Sequence, residues 1–234
     1  METDRSASAE SNRGRIITAA ALLLAESGRE AVSTRAVSAA AGVQAPTIYR
    51  LFGDKQGLLD AVAAHGFTTY LNEKVDLKPS GDPVDDLRTG WNLNVEFGLA
   101  HPALYALMYA EPRPGVVPPA ALAAMEILAA HIHRVAEVGR LRIDEERAAQ
   151  VVHAVGSGTT LALIATPEAD RDLTVSHMAR EAVIDAITME ASTPAPPGPA
   201  SAAVALRAVL PQTAALTAGE RSLLTEWLDR IARC

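Results

Sequence analysis

Three observations predict an all-α fold. Apolar residues recur at three- and four-residue spacing through nearly every segment between turn signals. The chain is 49% hydrophobic yet only 4% aromatic, with alanine and leucine dominant, a composition that suits packed helices better than sheets. No segment alternates convincingly as a half-buried strand would, and no internal repeat is visible. At 234 residues the chain can bury the core of one or two domains.

The elements follow in order. Ile16, Ile17, Ala20, Leu23 and Leu24 share one face of a helix over residues 12–27, which Gly28 ends. Arg13 and Arg15 near its start either contact a phosphate or sit on a solvated face. A short helix starts after Ser33-Thr34, either of which can cap it. It breaks at Ala41-Gly42-Val43, where a three-residue reversal calls for the left-handed backbone that glycine adopts at least cost. A second short helix runs through Pro46–Arg50, with the proline in its first turn, where the missing N–H breaks no helical bond. Val37, Val43 and Ile48 point inward and join the two helices. Asp54 caps a long helix from Lys55 to Val75 that carries Leu58, Leu59, Val62, His65 and Phe67.

Helix, tight glycine turn, helix is the layout of a DNA-reading helix-turn-helix. The outward set on its second helix is Gln44, Ala45, Thr47, Tyr49 and Arg50, whose hydrogen-bonding or small side chains suit base edges and phosphates in a major groove. Pro46 opens that helix, and Thr34 and Arg35 open the first, whose N-terminal end can face a phosphate.

Beyond a turn at 79–83, a helix runs from Val84 to about Leu99 and breaks near His101-Pro102. A short segment, Ala103–Ala110, precedes a stiff loop through Glu111–Gly115 and Pro118-Pro119. A helix from Pro119 to Val138 carries Leu122, Met125, Leu128, Ile132 and Val135. Asp144 can cap the next, which runs to Ala165, and another spans Thr174–Met189. Residues 191–200, ASTPAPPGPA, form a Pro-rich linker. After it come Ala202–Leu210 and Thr217–Ala232. Thr217 and Glu220 make a capping box, and Leu223, Leu224, Trp227, Leu228 and Ile231 form an apolar face.

Charge agrees with a nucleic-acid partner only locally. The net charge is −7, but residues 11–55 carry a surplus of three positive charges through Arg13, Arg15, Arg29, Arg35, Arg50 and Lys55. The excess is confined to the segment that would face DNA. It is modest, so two copies on two half-sites would be needed for firm binding.

Other classes lack their signatures. The lone Cys234 allows no disulfide framework within a chain. The polar start METDRSASAESNR is no signal peptide, and no apolar run approaches the ~20 residues of a membrane span. The expected location is therefore cytoplasmic, with no membrane partner. His131 and His133 point about 200° apart on a helix and cannot easily share a metal; His65, His101, His153 and His177 show no ligand spacing. Gly156-Ser157-Gly158 lacks the flanks of a nucleophile elbow. No catalytic residue, metal or cofactor is predicted.

The run from Ser33 to Leu59, with the amphipathic segment before it, closely resembles the DNA-binding domain of the TetR family of bacterial repressors. The resemblance rests on Thr34-Arg35, Ala41-Gly42-Val43, Pro46-Thr47-Ile48-Tyr49, Phe52, Lys55 and Leu58-Leu59, in that order. It implies that Tyr49 and Thr47 touch DNA and that Lys55 holds a phosphate. Arg50 and Leu51 fall at positions the family varies, so the operator sequence cannot be copied from a relative.

The resemblance also implies a small-molecule pocket within residues 80–165 and a homodimer built on the last two regular helices. The residues that fit the pocket are Trp91, Asn94, Phe97, His101, Tyr105, Met108, Tyr109 and Met125, which suit an apolar or aromatic ligand; packing in the core is the competing role for each. Those that fit the dimer are Gly158, Leu161, Ala179, Ala182, Val183, Ala186 and Ile187, because small residues let helix backbones approach closely. The expected organisation is a helix-turn-helix domain at 1–55, a helical ligand-binding and dimerisation domain at 56–190, the linker at 191–200 and a helical extension at 201–234, packed on the body of the dimer. The expected function is a repressor that leaves a palindromic double-stranded operator when its ligand binds. A constitutive regulator or activator without inducer is the alternative, and an all-helical enzyme or carrier a remote one.

Overall fold

The computed structural model describes residues 2–73, 80–111, 113–189 and 198–233. Most of the Pro-rich linker, Val75, Pro79, Pro112 and Cys234 lie outside these residues. The described chain is helical: α1 Glu2–Ala31, α2 Thr34–Ala41, α3 Ala45–Phe52, α4 Lys55–Glu73, α5 Pro83–Ala100, α6 Pro102–Tyr109, α7 Pro119–Glu137, α8 Glu145–Ala165, α9 Thr174–Ile187, α10 Pro199–Val209 and α11 Ala218–Ala232. Isolated bridges, Arg113 with Val116 and Leu141 with Thr188, are the extent of β pairing among the described residues.

The helix ends form for the expected reasons. Ser33 caps α2 by accepting from the Ala36 amide at 3.1 Å. Gly42 closes it in the left-handed conformation, at φ 62°. Asp54 accepts from the Gly57 amide at 2.7 Å to cap α4. Asp144 accepts from the Arg147 amide at 3.0 Å to cap α8, and the Thr217–Glu220 capping box opens α11. One boundary differs: α1 begins near Glu2, about ten residues earlier than the apolar periodicity indicates. No proline interrupts that polar stretch, so the helix continues through it until Gly28 leaves helical geometry at φ 74°.

The chain divides into two compact units, residues 1–77 with 100–123, and residues 78–99 with 124–234. In the first, α1 packs on α2, α4 and α6, and α3 on α2 and α4. Ile16, Ala20, Leu24, Val37, Ile48, Leu58, Leu59 and Val62 make its core; His65, placed with the apolar set by periodicity, is exposed instead. Gly57 is required by close approach, since a Cβ there would lie 2.1 Å from the Phe52 carbonyl oxygen.

In the second unit, α5, α7, α8, α9, α10 and α11 share one apolar core. Ala203, Val204, Ala208, Leu210 and Leu228 of the C-terminal extension are buried there beside Ile132, Val135, Leu141, Ile184 and Ile187, so the extension packs on its own chain. The apolar arc of α11 is wider than one contact face. Leu224 and Leu228 turn inward, while Leu223, Trp227 and Ile231 stay exposed.

Helix α8 bears on the expectation that no apolar run approaches a membrane span. An 18-residue stretch of this 21-residue helix has a mean hydropathy of 1.3, and the helix is by length and composition apolar enough to cross a membrane. Its glycines, serine and threonines hide that property from a search for continuous large apolar residues. In the chain α8 packs along α9, and Gly156 lies against the ring of Trp91.

Candidate DNA-reading surface and helical body

Helix α3 has two sharply different sides. Ile48 is 1% exposed and fastens it to the core, whereas Tyr49 is 54% exposed. Gln44, Pro46 and Arg50 share the outer side with Tyr49; Ala45 and Thr47 are half-buried at its edge. Arg35 is exposed at the first turn of α2, with Thr34 half-buried beside it, and Lys55 is half-buried as the first residue of α4. The structure thus places the nine predicted contact residues on α2, on α3 with its N-cap Gln44, and at the start of α4.

Arg13 and Arg15 of α1 make contacts within their own unit. The guanidinium of Arg13 lies 5.4 Å from the centroid of the Phe52 ring, a cation–π distance. Arg15 donates through Nη2 to the carbonyl of Ala41, satisfying a backbone acceptor at the end of α2 that helical bonding leaves open. Both therefore brace the helix-turn-helix. Periodicity gave no sign of this, because it locates neighbours along a helix and not across the turn.

A polar network fixes the start of α4. Arg29 donates to Gln56 at 3.0 Å, and Gln56 donates to Asp60 at 2.9 Å. Arg113, from the loop after α6, reaches both Asp60 oxygens at 2.8 and 3.1 Å. Arg29 also pairs with Glu111.

The eight candidate ligand residues fall in both units. Trp91, Asn94, Phe97 and Met125 belong to the second; His101, Tyr105, Met108 and Tyr109 belong to the first. Trp91 is buried and its indole N–H donates to Ser176 at 3.0 Å. Asn94 donates to Thr160 at 3.2 Å, and Thr160 in turn donates to the Gly156 carbonyl at 2.8 Å. Ser176 and Thr160 were not legible in sequence, since a lone hydroxyl on an apolar helix carries no pattern. Phe97, Tyr105 and Met108 are core side chains, while His101 and Met125 are exposed. Tyr105 and Tyr109 pack with ring centroids 4.7 Å apart. Burial, with Tyr105 adding to it, pushes the Tyr109 phenol well above its ordinary range.

The candidate dimer residues also separate. Val183 and Ile187 are 6% and 1% exposed and belong to the core of their own unit, so they offer no surface to a second copy. Leu161 and Ala179 are half-buried, and Gly158, Ala182 and Ala186 are exposed. Val151, Val175 and Met178 are exposed on α8 and α9 with them, Met178 at 72%. A one-residue rotation of the assumed α9 face accounts for the difference. Across α5 and α9, Arg88 holds Glu181 at 2.9 Å, and that hydrogen-bonded guanidinium keeps the Glu181 carboxyl below its usual range. Asp82 is lowered in the same way by Arg140.

The family model for bacterial regulatory proteins of the TetR family matches residues 16–62. Solved structures of similar fold include a protein of unknown function from Rhodococcus sp. RHA1, 25% identical with a TM-score of 0.62, covering 76% of this chain and 96% of that one. A TetR-family transcriptional regulator from Haemophilus influenzae is 19% identical with a TM-score of 0.52, covering 76% of this chain and 97% of its own. The multidrug binding protein EbrR, solved with imidazole, is 25% identical with a TM-score of 0.52, covering 77% and 97%. No curated protein matches the chain.

Proposed function

We propose that this chain, whose residues 16–62 match the TetR-family model, is a DNA-binding transcriptional regulator of that family, a homodimeric repressor whose hold on a palindromic operator is released by an apolar or aromatic small molecule. The observation that carries the DNA-reading part is the division of α3 between a buried Ile48 and an outward Tyr49. A helix held by one face and bare on the other can enter a major groove without disturbing its own core. Two copies would meet through α8 and α9, where Val151, Gly158, Val175, Met178, Ala182 and Ala186 supply apolar area and close approach. The ligand reading is supported by Trp91 and Asn94, a large ring and an amide one helical turn apart, and by EbrR being a multidrug binding protein.

Release requires that the ligand favour one of two conformations. Titrating candidate aromatic compounds into the protein–operator complex, followed by fluorescence anisotropy, tests this. The reading predicts a compound that binds the free protein and lowers operator affinity. A compound that binds tightly and leaves operator affinity unchanged would contradict it. The second reading, a constitutive regulator or an activator without inducer, is favoured by the satisfied polar pairs Trp91–Ser176 and Asn94–Thr160, which serve equally well as core bonds.

A further inference from the structure

We propose that the outward face of α11 is a second self-association surface, on which an antiparallel copy of the same helix docks and joins two dimers into a tetramer. Leu223, Trp227 and Ile231 are 46%, 50% and 41% exposed. They recur every four residues and so form one continuous ridge on a helix whose other side, through Leu228 and Ala232, is already buried. Such i±4n ridges interdigitate with their own kind in the commonest class of helix packing. With a twofold axis at Trp227, the Leu223 of one copy meets the Ile231 of the other, and the two indoles meet at the centre.

Charge selects both the occupant and its direction. Beside the ridge the acidic residues of α11, Glu220 and Glu226, come first, and the basic ones, Arg230 near its end and Arg233 just after it, come last. A parallel copy would set like charge against like. An antiparallel copy sets acid against base. Glu226 and Arg230 lie on the same side of the ridge by helical periodicity, and in an antiparallel pair the flanks that meet come from the same side. The helix is therefore complementary to its own reverse.

The contact is small. Three side chains about half exposed bury on the order of 300 Å² per copy, against roughly 800 Å² per partner for a standard interface. Association should therefore be weak and depend on concentration. Only the size of the assembly rests on the α8–α9 dimer proposed above; the α11 contact itself does not need it.

Sedimentation velocity tests this across roughly 1 to 100 µM, the span in which so small an interface would fill. The samples are wild type, Trp227→Lys, Glu226→Arg, Glu226→Arg with Arg230→Glu, Met178→Asp, and Trp227→Lys with Met178→Asp. Wild type should rise from dimer to tetramer, and Trp227→Lys should remain dimeric throughout. Glu226→Arg should weaken the dimer-to-tetramer step at least tenfold, and adding Arg230→Glu should restore it. Met178→Asp should leave a weak dimer that the double variant with Trp227→Lys abolishes. If the α8–α9 reading fails but this one holds, Met178→Asp will behave as wild type and Trp227→Lys will be monomeric. If Trp227→Lys matches wild type in mass at every concentration, or if the charge swap does not rescue, the proposal is overturned.

Discussion

Arg113 grips Asp60 through a single guanidinium nitrogen, Nη2, at 2.8 and 3.1 Å from the two carboxylate oxygens. Both side chains are mostly buried, and Asp60 also accepts from Gln56, the residue after Lys55. The pair ties the loop after α6 to the turn of α4 that should hold a DNA phosphate. Asp60→Ala leaves Arg113 and Gln56 without that acceptor. It is expected to cost about 1 kcal/mol of stability and to weaken operator binding by roughly threefold to tenfold. Urea unfolding and operator titration of Asp60→Ala, Arg113→Ala and the double variant check this. Additive losses would show that the two residues do not act together.

Exposure separates reading from folding on α3. Tyr49→Ala removes a side chain that is 54% exposed, so thermal unfolding should change little. Operator affinity should fall by about 1–3 kcal/mol. Lys55→Ala should weaken binding to all duplexes alike and reduce the salt slope by about one. A Tyr49→Ala protein that binds as wild type would remove α3 from the interface.

Close packing predicts the opposite pattern at Gly57. A methyl group there would meet the Phe52 carbonyl oxygen at 2.1 Å, and backbone cannot swing aside as a side chain can. Gly57→Ala should destabilise the first unit by about 3 kcal/mol. Its unfolding midpoint, measured by denaturant, would then shift before that of the second unit. An unchanged midpoint would mean that α3 and α4 can separate at little cost.

Acid should loosen α5 from α9. Arg88 and Arg180 hydrogen-bond Glu181 and lower its pKa from the usual 4.5. A depressed carboxylate pKa contributes stability that is present above the unfolded value and lost as pH falls through the folded one. The stability contributed by Glu181 should therefore be constant from pH 7 to about 5 and decline below the ordinary carboxylate range. Glu181→Gln should flatten that decline, as urea unfolding at pH 7, 5 and 3 would reveal. Identical slopes for variant and wild type would dismiss the linkage.

What the sequence disclosed, and what it withheld, follows from the range of the interactions. Caps and turns are local, so Ser33, Gly42, Asp54, Asp144 and the Thr217–Glu220 box could be read directly. Helix α3 combined a local break with a strong apolar pattern, so its two sides were also legible. Partners distant in sequence were not. Ser176 beneath Trp91, Thr160 beside Asn94 and Ala41 beneath Arg15 come from turns or helices elsewhere in the chain. The face of α9 was misjudged at Val183 and Ile187 because alanines surround it on several sides, leaving periodicity little contrast. Trp227 was assigned to a buried face because five large apolar residues on one helix suggest one contact, and α11 has two sides.

On this reading of the fold, α3 recognises a twofold symmetric DNA sequence. Selection of bound duplexes from a random library, at two salt concentrations, with wild type and Tyr49→Ala in parallel, tests it most directly. An enriched palindromic site, weakened by salt and lost in the variant, is expected. Recovery of no enriched sequence, with both proteins behaving alike, would contradict it.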